Sequence, residues 1–431
     1  MRSDDMTGRP NTRRAFLKQS IGAAAAVVLP SILPARALGR DGTVPPSQRI
    51  VLGQIGCGPR GRHDLDCFLA QPDVQFVAIC DVRADRRKAV KALADTKYGD
   101  KGCAMYRDMF DLFGRADIDA LLIATGDRWH APASILAAKA GKDVYSEKPC
   151  GITMALCQAL DDTIRRCGRV FQAGTQRRTV SNFQAVVHLA HSGKLGKLHT
   201  VHASIYDNLH DRYDWLPAEP EPPKDVVDWD RWLGPAPWRP YNHVYVDGGW
   251  RNCFDFDSGA SMLDWGAHTV DLCQWANQAD ETTPVEYEAA GNTVTARYAN
   301  GVKLVLRPGG WLGLGACPVR FEGDEGWVET GDSGQVAVHP ASLRRELHLT
   351  PLAGGISATL NARNFLDCVK SGARPMSHSG VMRHSHLACH AAALAWKLGR
   401  KLMFDPASEA FIGDDEANNL RSRAMREPWH V

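Results

Sequence analysis

The sequence predicts an α/β protein whose first half is a doubly wound parallel sheet and whose second half is an α+β domain with a large, mainly antiparallel sheet. Three observations carry this prediction. A short apolar run at 50–55 is followed at once by a glycine-rich turn. Further apolar runs alternate with amphipathic segments up to residue 174, as in parallel strands joined by helical crossovers. After residue 198 most of the strand-like segments follow one another directly, which favours antiparallel pairing.

The chain has 431 residues, enough for two or three domains, and its first 37 residues are expected to lie outside the fold. Residues 12–18 carry a twin-arginine export pattern, residues 21–33 are apolar, and Ala35-Arg36-Ala37 matches a cleavage site. The apolar segment is too short to span a membrane. We therefore expect a signal peptide at 1–37 and a periplasmic mature protein without membrane contact after cleavage. The alternative is a cytosolic protein whose N-terminus matches by chance.

The glycine-rich turn meets the backbone requirements of a dinucleotide-binding loop. Gly56 permits the tight turn, Gly58 lets the backbone approach a pyrophosphate, and Gly61 lets the next helix pack against the strand. Because that helix begins here, with Pro59 and Arg60 in its first turn, its free N–H groups would face the phosphates. The alternative is a glycine-rich turn in an unrelated α/β protein.

Asp81 follows the second apolar run, 74–80, and stands twenty residues after the last glycine of the turn. An acid at this distance holds the ribose hydroxyls of NAD in dinucleotide-binding folds, so NAD is the expected cofactor. The alternative role for this residue is a helix cap. Arg83, which we assign to the cofactor site, is followed by Arg86 and Arg87. These cations could accept a 2′-phosphate, so NADP stays possible.

The remaining elements of the first half follow from apolar periodicity and from glycine and proline stops. The run at 119–125 is continuously apolar, as expected for a strand that is covered on both faces. We predict strands at 50–55, 74–80, 119–125, 143–146 and 170–174, and helices at 60–70, 85–96, 132–140 and 152–167.

Ligands of open parallel sheets bind at the carboxyl ends of the strands, where several polar segments of this chain converge. Besides the glycine turn, these segments supply the candidate cofactor contacts Thr125, Trp129, His130, Glu147, Lys148 and Gln176. Pro149 restricts the backbone of Lys148, which favours one direction for the lysine side chain.

Three of these motifs together resemble the Gfo/Idh/MocA oxidoreductases, a family that includes glucose–fructose oxidoreductase and inositol dehydrogenase. The motifs are Gly56-x-Gly58-x-x-Gly61, the strand end from Ala124 to His130, and Glu147-Lys148-Pro149. The resemblance covers nearly the whole mature chain. It implies a Rossmann NAD(P)-binding domain at 48–174 and a substrate-binding and oligomerisation domain at 175–431. It also implies a carbohydrate substrate and a dimer or tetramer.

The second half is predicted to be mixed, with strands that alternate polar and apolar residues. We predict helices at 183–192, 361–370 and 381–398, and strands at 198–205, 285–299, 302–307, 319–322 and 327–329. One face of the resulting sheet would cover the helices, which leaves the other face for an oligomer contact.

Seven of the twelve tryptophans lie between residues 215 and 275, most of them in a proline-rich stretch at 215–250. Tryptophan faces stack on the apolar faces of sugar rings, and indole N–H groups bond to hydroxyls. We therefore assign Trp238 and Trp250 to substrate binding. The alternative is that these rings fix an irregular loop or an oligomer contact.

Asp264, His268, Asp271 and Trp275 fall on one face of a predicted helix, at positions i, i+4, i+7 and i+11. A carboxylate one turn from His268 can orient the imidazole and raise its basicity. The alternative is a surface helix with ordinary ion pairs. The family's D-x-x-x-H pattern matches Asp264 and His268. The resemblance thus implies that these two residues bind the substrate and, with Lys148, are the catalytic residues.

Composition narrows the choice of partners. The formal net charge is only +2, with 23% charged residues, so nothing favours nucleic acid or an acidic membrane surface. The twelve cysteines form no C-x-x-C pair and are expected to be mostly buried thiols. His386 and His390 have metal-ligand spacing, but no third ligand accompanies them, so we expect no metal.

The expected function is hydride transfer between a sugar or cyclitol hydroxyl carbon and a tightly bound nicotinamide cofactor. One alternative is an NAD-dependent glycoside hydrolase that oxidises, eliminates, hydrates and reduces again. The other is a non-catalytic nucleotide-binding protein, which the joint presence of Lys148, Asp264 and His268 argues against.

Overall fold

The computed structural model describes residues 44–206, 208–347 and 358–431. The predicted signal peptide at 1–37 lies outside these residues, and its export role stays a prediction. Residues 49–431 form one unit, so the predicted boundary between residues 174 and 175 falls inside that unit and also stays a prediction.

The first half contains a six-stranded sheet in which every neighbouring pair is parallel. Its strands are β1 (Ile50–Ile55), β2 (Val74–Cys80), β3 (Ala104–Tyr106), β4 (Ala120–Ile123), β5 (Asp143–Ser146) and β6 (Phe171–Ala173). The order β3-β2-β1-β4-β5-β6 places β1 and β4 side by side at the centre of the sheet. The strand order reverses at this point, which is where such sheets open a crevice for ligands.

Helices cover this sheet on both faces, as the sequence predicted. They are α1 (Pro59–Leu69), α2 (Ala84–Tyr98), α3 (Met109–Phe113), α4 (Asp127–Lys139) and α5 (Met154–Cys167). Every residue of β4 is buried, which explains its continuously apolar sequence. Thr153 caps α5 by accepting a hydrogen bond from the N–H of Leu156, and the helix ends at Gly168 in the left-handed conformation.

Three details of the first half differ from the sequence prediction, and one of them is the short helix α3, which was not predicted. Helix α4 begins at Asp127, five residues before the predicted start, because Pro132 lies inside the helix and not in its first turn. The N-terminal turn of α4 therefore includes residues that were taken as a loop. Strand β3 was not predicted, since three half-buried or exposed residues carry no periodicity to recognise.

The second half contains a nine-stranded sheet in which β7 and β10 form the one parallel pair among its described strands. Its strands are β7 (Leu198–Ile205), β8 (Glu286–Ala290), β9 (Thr293–Arg297), β10 (Lys303–Pro308), β11 (Val319–Gly323), β12 (Gly326–Thr330), β13 (Val336–His339), β14 (Leu402–Asp405) and β15 (Ala410–Phe411). The order is β13-β12-β11-β7-β10-β9-β8-β14-β15. The predicted α/β class, with a parallel sheet followed by a mainly antiparallel one, is confirmed.

Helices pack against one face of this second sheet and share its largest apolar core. The helices of the second half are α6 (Ser181–His191), α7 (Trp229–Leu233), α8 (Met262–Ala276), α9 (Thr359–Ser371), α10 (Ser379–Leu398) and α11 (Asp415–Asn419). Helix α8 lies between β7 and α10 and is buried over most of its length. It carries the D-x-x-x-H residues to the edge of the parallel sheet.

Two further predictions concern thiols and membranes. All twelve cysteines lie in the described part of the chain as thiols outside any disulfide, and eleven of them are buried. Each helix within the described ranges is too short or too polar to cross a bilayer.

Candidate active site

A cleft with a volume of about 1360 Å³, which we call the cofactor cleft, opens at the carboxyl ends of β1, β2 and β4. The glycine turn forms one wall of this cleft. Gly56 has a φ of +86°, and a Cβ there would lie 2.4 Å from the carbonyl oxygen of Ala124. A Cβ on Gly61 would lie 2.4 Å from the carbonyl oxygen of Gly56. Both positions therefore require glycine, as predicted from the sequence.

Gly58 faces the cleft, and the nearest group to a Cβ built on it is a guanidinium nitrogen of Arg86 at 3.4 Å. Helix α1 begins directly after Gly58, with Pro59 in the position where a missing N–H costs nothing. The free N–H groups of the first turn are available to a pyrophosphate. Buried Gln54 supports the turn, since its amide nitrogen donates 2.9 Å hydrogen bonds to the carbonyls of Gly56 and Gly61.

Asp81 lies at the end of β2, is 6% exposed, and lines the same cleft. Its carboxylate accepts hydrogen bonds from the backbone N–H of Cys57 at 2.7 Å and of Arg83 at 2.8 Å. Burial raises the pKa of Asp81, and Arg86 and the two N–H donors partly offset that rise. Asp81 thus holds the glycine turn and also faces the place where a ribose would lie.

The guanidinium of Arg83 does not lie in the cleft. It pairs with Asp85 at 2.7 Å and with Asp247 at 2.6 Å, which connects α2 to the second half. Arg86, one turn later in sequence, lines the cleft in its place. Arg83, the residue predicted for the cofactor site, is thus not among the residues that line this cleft, whereas Arg86 is.

The segment after β4 contains residues that line the cofactor cleft and residues whose side chains hold neighbouring loops in place. Thr125 lines the cofactor cleft and the neighbouring cleft described below. Trp129 borders the cofactor cleft, and its indole N–H donates to the carbonyl of Arg231 at 2.9 Å. His130 is buried, and its Nδ1 donates to the carbonyl of Pro149 at 2.7 Å. Trp129 and His130 thus fix neighbouring loops.

A second cleft, with a volume of about 780 Å³, adjoins the first and shares Arg60, Thr125, Trp250 and Arg251 with it. It is lined by predicted site residues from six separate parts of the chain. These are Arg60, Thr125, His130, Glu147, Lys148, Gln176, Trp250, Asp264 and His268. We call it the substrate cleft.

Arg60, Glu147 and Gln176 connect the two clefts. One carboxylate oxygen of Glu147 accepts hydrogen bonds from Arg60 at 3.1 Å and from the side-chain amide of Gln176 at 3.1 Å. Arg60 also pairs with Asp64 at 2.8 Å. These contacts hold α1 against the ends of β5 and β6, and leave Arg60 at the border between the clefts.

Lys148 reaches across the substrate cleft, where its Nζ donates to the backbone carbonyl oxygen of Asp264 at 2.5 Å. The loop that carries it is held by buried histidines. The N–H of Cys150 donates to His386 at 3.1 Å, and His390 donates to the carbonyl of Gly151 at 3.0 Å. His386 and His390 are therefore loop supports. Among the described residues no group of three or more His, Cys, Asp or Glu side chains is arranged to hold a metal ion.

His268 is 4% exposed, and its Nδ1 is buried without a hydrogen-bond partner. The predicted carboxylate–imidazole hydrogen bond to Asp264 is therefore not formed at this nitrogen. Burial, followed by the charges of Arg177 and Lys148, holds the pKa of His268 well below its ordinary value. The imidazole is neutral at pH 7 and can accept a proton.

Asp271 does not act on His268 either. Its carboxylate pairs with Arg178 at 2.7 Å, and both side chains are almost completely buried. The guanidinium of Arg178 also lies 5.0 Å from the ring centre of Trp275. Of the four residues predicted on one face of this helix, Asp271 and Trp275 thus belong to an internal ion pair and the aromatic ring beside it. Only Asp264 and His268 line the substrate cleft.

The tryptophans separate into three groups. Trp250 lines both clefts and Trp265 lines the substrate cleft. Trp229 and Trp232 are buried and stacked, with ring centres 4.7 Å apart, so they fix the irregular stretch itself. Trp238 is 60% exposed and lines neither cleft.

Four polar or aromatic residues of the substrate cleft were not predicted as site residues: Asp127, Arg177, Arg251 and Trp265. Asp127 belongs to the polar segment after β4, and that position was its only signal. Arg177 and Arg251 each follow a residue that was chosen, Gln176 and Trp250. No pattern marked Asp257, which contacts Asp127 from a loop before α8.

Family comparisons agree with this geometry. A family model for the NAD-binding Rossmann fold of the Gfo/Idh/MocA oxidoreductases matches residues 50–175. A second model, for the C-terminal α/β domain of the same oxidoreductase family, matches residues 179–431. The chain belongs to the Gfo/Idh/MocA oxidoreductase family. The predicted family and its NAD-binding Rossmann domain are confirmed, and the glycine positions that a Cβ would fill are consistent with that cofactor.

Relatives within the Gfo/Idh/MocA family differ in their named activities. A glycosyl hydrolase family 109 protein of Saccharopolyspora erythraea is 30% identical over 212 residues, which is 46% of each chain. An inositol 2-dehydrogenase of Klebsiella pneumoniae is 30% identical over 147 residues, which is 34% of this chain and 42% of the relative. The matches thus span less than half of the length of these curated relatives.

The fold of the Gfo/Idh/MocA family is also found by comparison with solved structures. The WlbA dehydrogenase of Bordetella pertussis, in complex with NADH and UDP-GlcNAcA, superposes with a TM-score of 0.61 at 18% identity. The superposition covers 83% of this chain and 99% of that chain.

Proposed function

We propose that this protein oxidises a hydroxyl carbon of a sugar or cyclitol with NAD as the hydride acceptor. One observation carries the proposal. Lys148 and His268, which are 120 positions apart in sequence, both line the substrate cleft, and this cleft adjoins the cofactor cleft. The inositol dehydrogenase relative supports a small carbohydrate or cyclitol as the substrate class.

The residues of the substrate cleft divide the chemistry between them. When bound, the nicotinamide supplies the acceptor for the hydride. Neutral His268, which lines the substrate cleft, takes the proton of the reacting hydroxyl. The ammonium of Lys148 binds the reacting oxygen and stabilises its developing negative charge.

Asp264 has a different role from the one its spacing suggested. Its backbone carbonyl fixes the direction of Lys148, while its side chain lines the cleft near Asp127 and Asp257. Trp250 and Trp265 present ring surfaces to the same cleft, and these suit the apolar face of a sugar ring.

The test begins with the full mature protein. Any nucleotide that copurifies is identified, and sugars and cyclitols are screened for its reduction by absorbance. We expect Lys148→Ala to retain the nucleotide and to lose at least about 100-fold in turnover. Lys139→Ala, an exposed lysine at the end of α4, is the matched control. Near-normal turnover in Lys148→Ala would contradict the proposal.

Redox-neutral hydrolysis of a glycoside is the second candidate function. The observation that favours it is the relative named glycosyl hydrolase family 109 protein, which matches this chain over 212 residues. The two candidates separate by absorbance. A dehydrogenase accumulates reduced cofactor, whereas a redox-neutral hydrolase releases sugar without any.

Cellular location is proposed from the sequence alone. The twin-arginine pattern supports export of the folded, cofactor-loaded protein to the periplasm. Cell fractionation of the wild type and of an Arg13→Lys, Arg14→Lys variant tests this. Retention of the double variant in the cytoplasm with export of the wild type is the expected result.

A homo-oligomer is proposed from the shape of the second half. Helices cover one face of the nine-stranded sheet, which leaves the opposite face for a second copy. Light scattering during size-exclusion chromatography gives the mass directly. A monomer at micromolar concentration would contradict the proposal.

A further inference from the structure

Residues 225–251 of the second half form one wall of the cofactor cleft, and we call them the strap. Seven of them line that cleft, among them Arg231, Asp247 and Arg251. The other lining residues come from the glycine turn and from the segments that follow β2, β3 and β4. NAD that lies against the glycine turn therefore lies against the strap as well. The contacts that hold the strap in place thus affect how fast NAD can leave.

The first part of the strap is attached to the end of β2 by its backbone. The N–H of Asp228 donates to the carbonyl of Val82 at 3.1 Å, and the N–H of Ala84 donates to the carbonyl of Val226 at 3.0 Å. Together these bonds form a short antiparallel bridge between the strap and the residues after β2. Such a bridge does not depend on any side chain.

Helix α7 is the middle of the strap, and it is attached to the segments that follow β3 and β4. Arg231 pairs with Asp108 at 2.5 Å. The Nε of Arg128 donates to the carbonyl of Trp232 at 2.8 Å, and its guanidinium lies 3.6 Å from the centre of the Trp232 ring. Because Arg128 is 2% exposed and Trp232 is 6% exposed, this part is packed like the interior of the protein.

The last part of the strap, residues 245–251, is attached in a different way. Among the described residues, no backbone–backbone hydrogen bond joins it to the first half of the chain. Instead Arg83 pairs with Asp247 at 2.6 Å, and the guanidinium groups of Arg83 and Arg86 each donate to the carbonyl of Val246 at 3.4 Å. The side chain of Asp247 is 57% exposed, so water competes for this ion pair.

The backbone of this last part also contains a kink. Gly248 has a φ of +113°, and a Cβ built there would meet nothing within 4 Å. Glycine adopts other backbone angles at low cost, so residues 245–251 can change direction at this point. The last part is thus the portion of the strap that can leave the cleft while the other two parts stay attached.

We propose that Arg83 is a positioning residue that holds the last part of the strap against bound NAD and thereby slows the release of the nucleotide. Arg83 itself does not line the cofactor cleft. Its guanidinium therefore acts on NAD through Asp247 and Val246. Release of NAD requires residues 245–251 to move away, and this movement breaks the ion pair. The inference concerns the exchange of the cofactor and holds for any substrate that the protein oxidises.

The first experiment measures the release of NADH without any sugar. Full mature protein loaded with NADH is mixed with an excess of NAD⁺, and the loss of NADH fluorescence gives the release rate. We expect Arg83→Ala to release NADH about three- to fivefold faster than the wild type, because a partly exposed ion pair is lost. Lys88→Ala, an exposed lysine on the same helix α2, is the matched control and should match the wild type.

A double-mutant cycle shows whether Arg83 acts through Asp247. Asp247 lines the cleft, so Asp247→Asn can also change release by direct contact with the nucleotide. In that background Arg83 has no charged partner on the strap. We therefore expect Arg83→Ala to accelerate release by less than about 1.5-fold when Asp247→Asn is already present.

Hydrogen exchange locates the effect in the chain. In the protein loaded with NADH, Arg83→Ala should speed the exchange of the amides of residues 245–251 by about three- to fivefold. Exchange at residues 226–228 should not change, since backbone bonds hold that part of the strap.

Each contrary result overturns the proposal. An unchanged release rate in Arg83→Ala does so, as does equal acceleration by Arg83→Ala with and without Asp247→Asn. Faster exchange at 226–228 and throughout the protein would show that Arg83 supports overall stability instead. A wild type that does not bind NADH overturns this proposal together with the proposed oxidation, whereas failure to oxidise any sugar would overturn only the latter.

Discussion

Asp81 and Asp127 are both buried, and each follows a strand of the parallel sheet, β2 and β4. Both oxygens of Asp81 accept a backbone N–H, and the residue faces the cofactor cleft. Asp127 instead stands beside two other carboxyl groups, with one oxygen unpartnered, and faces the substrate cleft. Similar positions in the fold thus give one carboxylate that is held by backbone donors and one carboxyl group that lacks such donors.

The same contrast holds for the two clefts as wholes. The cofactor cleft depends on the backbone of one continuous stretch, where a Cβ at Gly56 or Gly61 would collide with carbonyl oxygens. The substrate cleft depends on side chains brought together from six segments of the chain. Substitutions in the first cleft should therefore affect binding and folding, whereas those in the second should affect turnover.

The largest effect is expected for Gly61→Ala. The added Cβ would lie 2.4 Å from a backbone oxygen and 2.7 Å from the amide of Gln54, so α1 must move away from β1. We expect NAD binding to be lost in calorimetric titration, and the free energy of unfolding to fall by about 1–3 kcal/mol. Gly313→Ala is the control, because a Cβ there meets nothing within 4 Å. Normal NAD affinity in Gly61→Ala would contradict the role of the turn.

The next effect concerns His268→Gln. Glutamine fills much of the space of the imidazole but is no base, so kcat should fall by about 100-fold or more. The dissociation constant for NAD should stay within about twofold of the wild type, since His268 does not line the cofactor cleft. His188→Gln, on the exposed side of α6, serves as control. Equal losses in nucleotide affinity and kcat would remove the distinction between the clefts.

Trp250 lines both clefts, so its replacement tests whether the substrate binds at the border between them. Trp250→Ala should raise KM for the sugar about fivefold, because a stacked ring contributes about 1 kcal/mol. Trp238→Ala should leave KM unchanged, although the sequence suggested a substrate contact for both residues. A similar rise in KM for Trp238→Ala would show that the exposed ring does reach the substrate.

The smallest effect is a change in the pH dependence of stability. Burial lowers the pKa of His390 from 6.5 to about 4, so the unfolded chain binds a proton there that the folded chain does not. The stability that this neutral histidine provides is present above pH 6.5 and falls by about 1.4 kcal/mol per pH unit between pH 6.5 and 4. His390→Gln retains a donor for Gly151 and should remove that part of the slope.

Chemical denaturation at several pH values measures the slope. Comparison with wild type is needed because Asp257 and Asp271, each with a pKa raised to about 6, contribute with the opposite sign in the same range. His63→Gln is the control, since His63 is exposed. An unchanged slope in His390→Gln would contradict a neutral, buried imidazole behind the Lys148 loop.

The amino-acid sequence by itself determined the parallel sheet and the glycine turn. Those features depend on local periodicity, on glycine geometry and on the rule that parallel strands end at one edge. The meeting of Lys148 with His268 was implied by the family resemblance, and the structure places both residues in one cleft. The sequence could not assign Arg83 to a distant ion pair or Asp271 to Arg178, since either contact joins segments far apart in sequence.

The tertiary structure alone decided which polar residues line the substrate cleft. Asp264 matched a pattern, yet its contact with Lys148 is made by the backbone carbonyl, which no sequence pattern records. Asp127 and Asp257 carry no motif and are 130 positions apart. A carboxyl group keeps its proton near neutral pH only when burial and neighbouring charges raise its pKa. Both conditions exist only after the chain has folded.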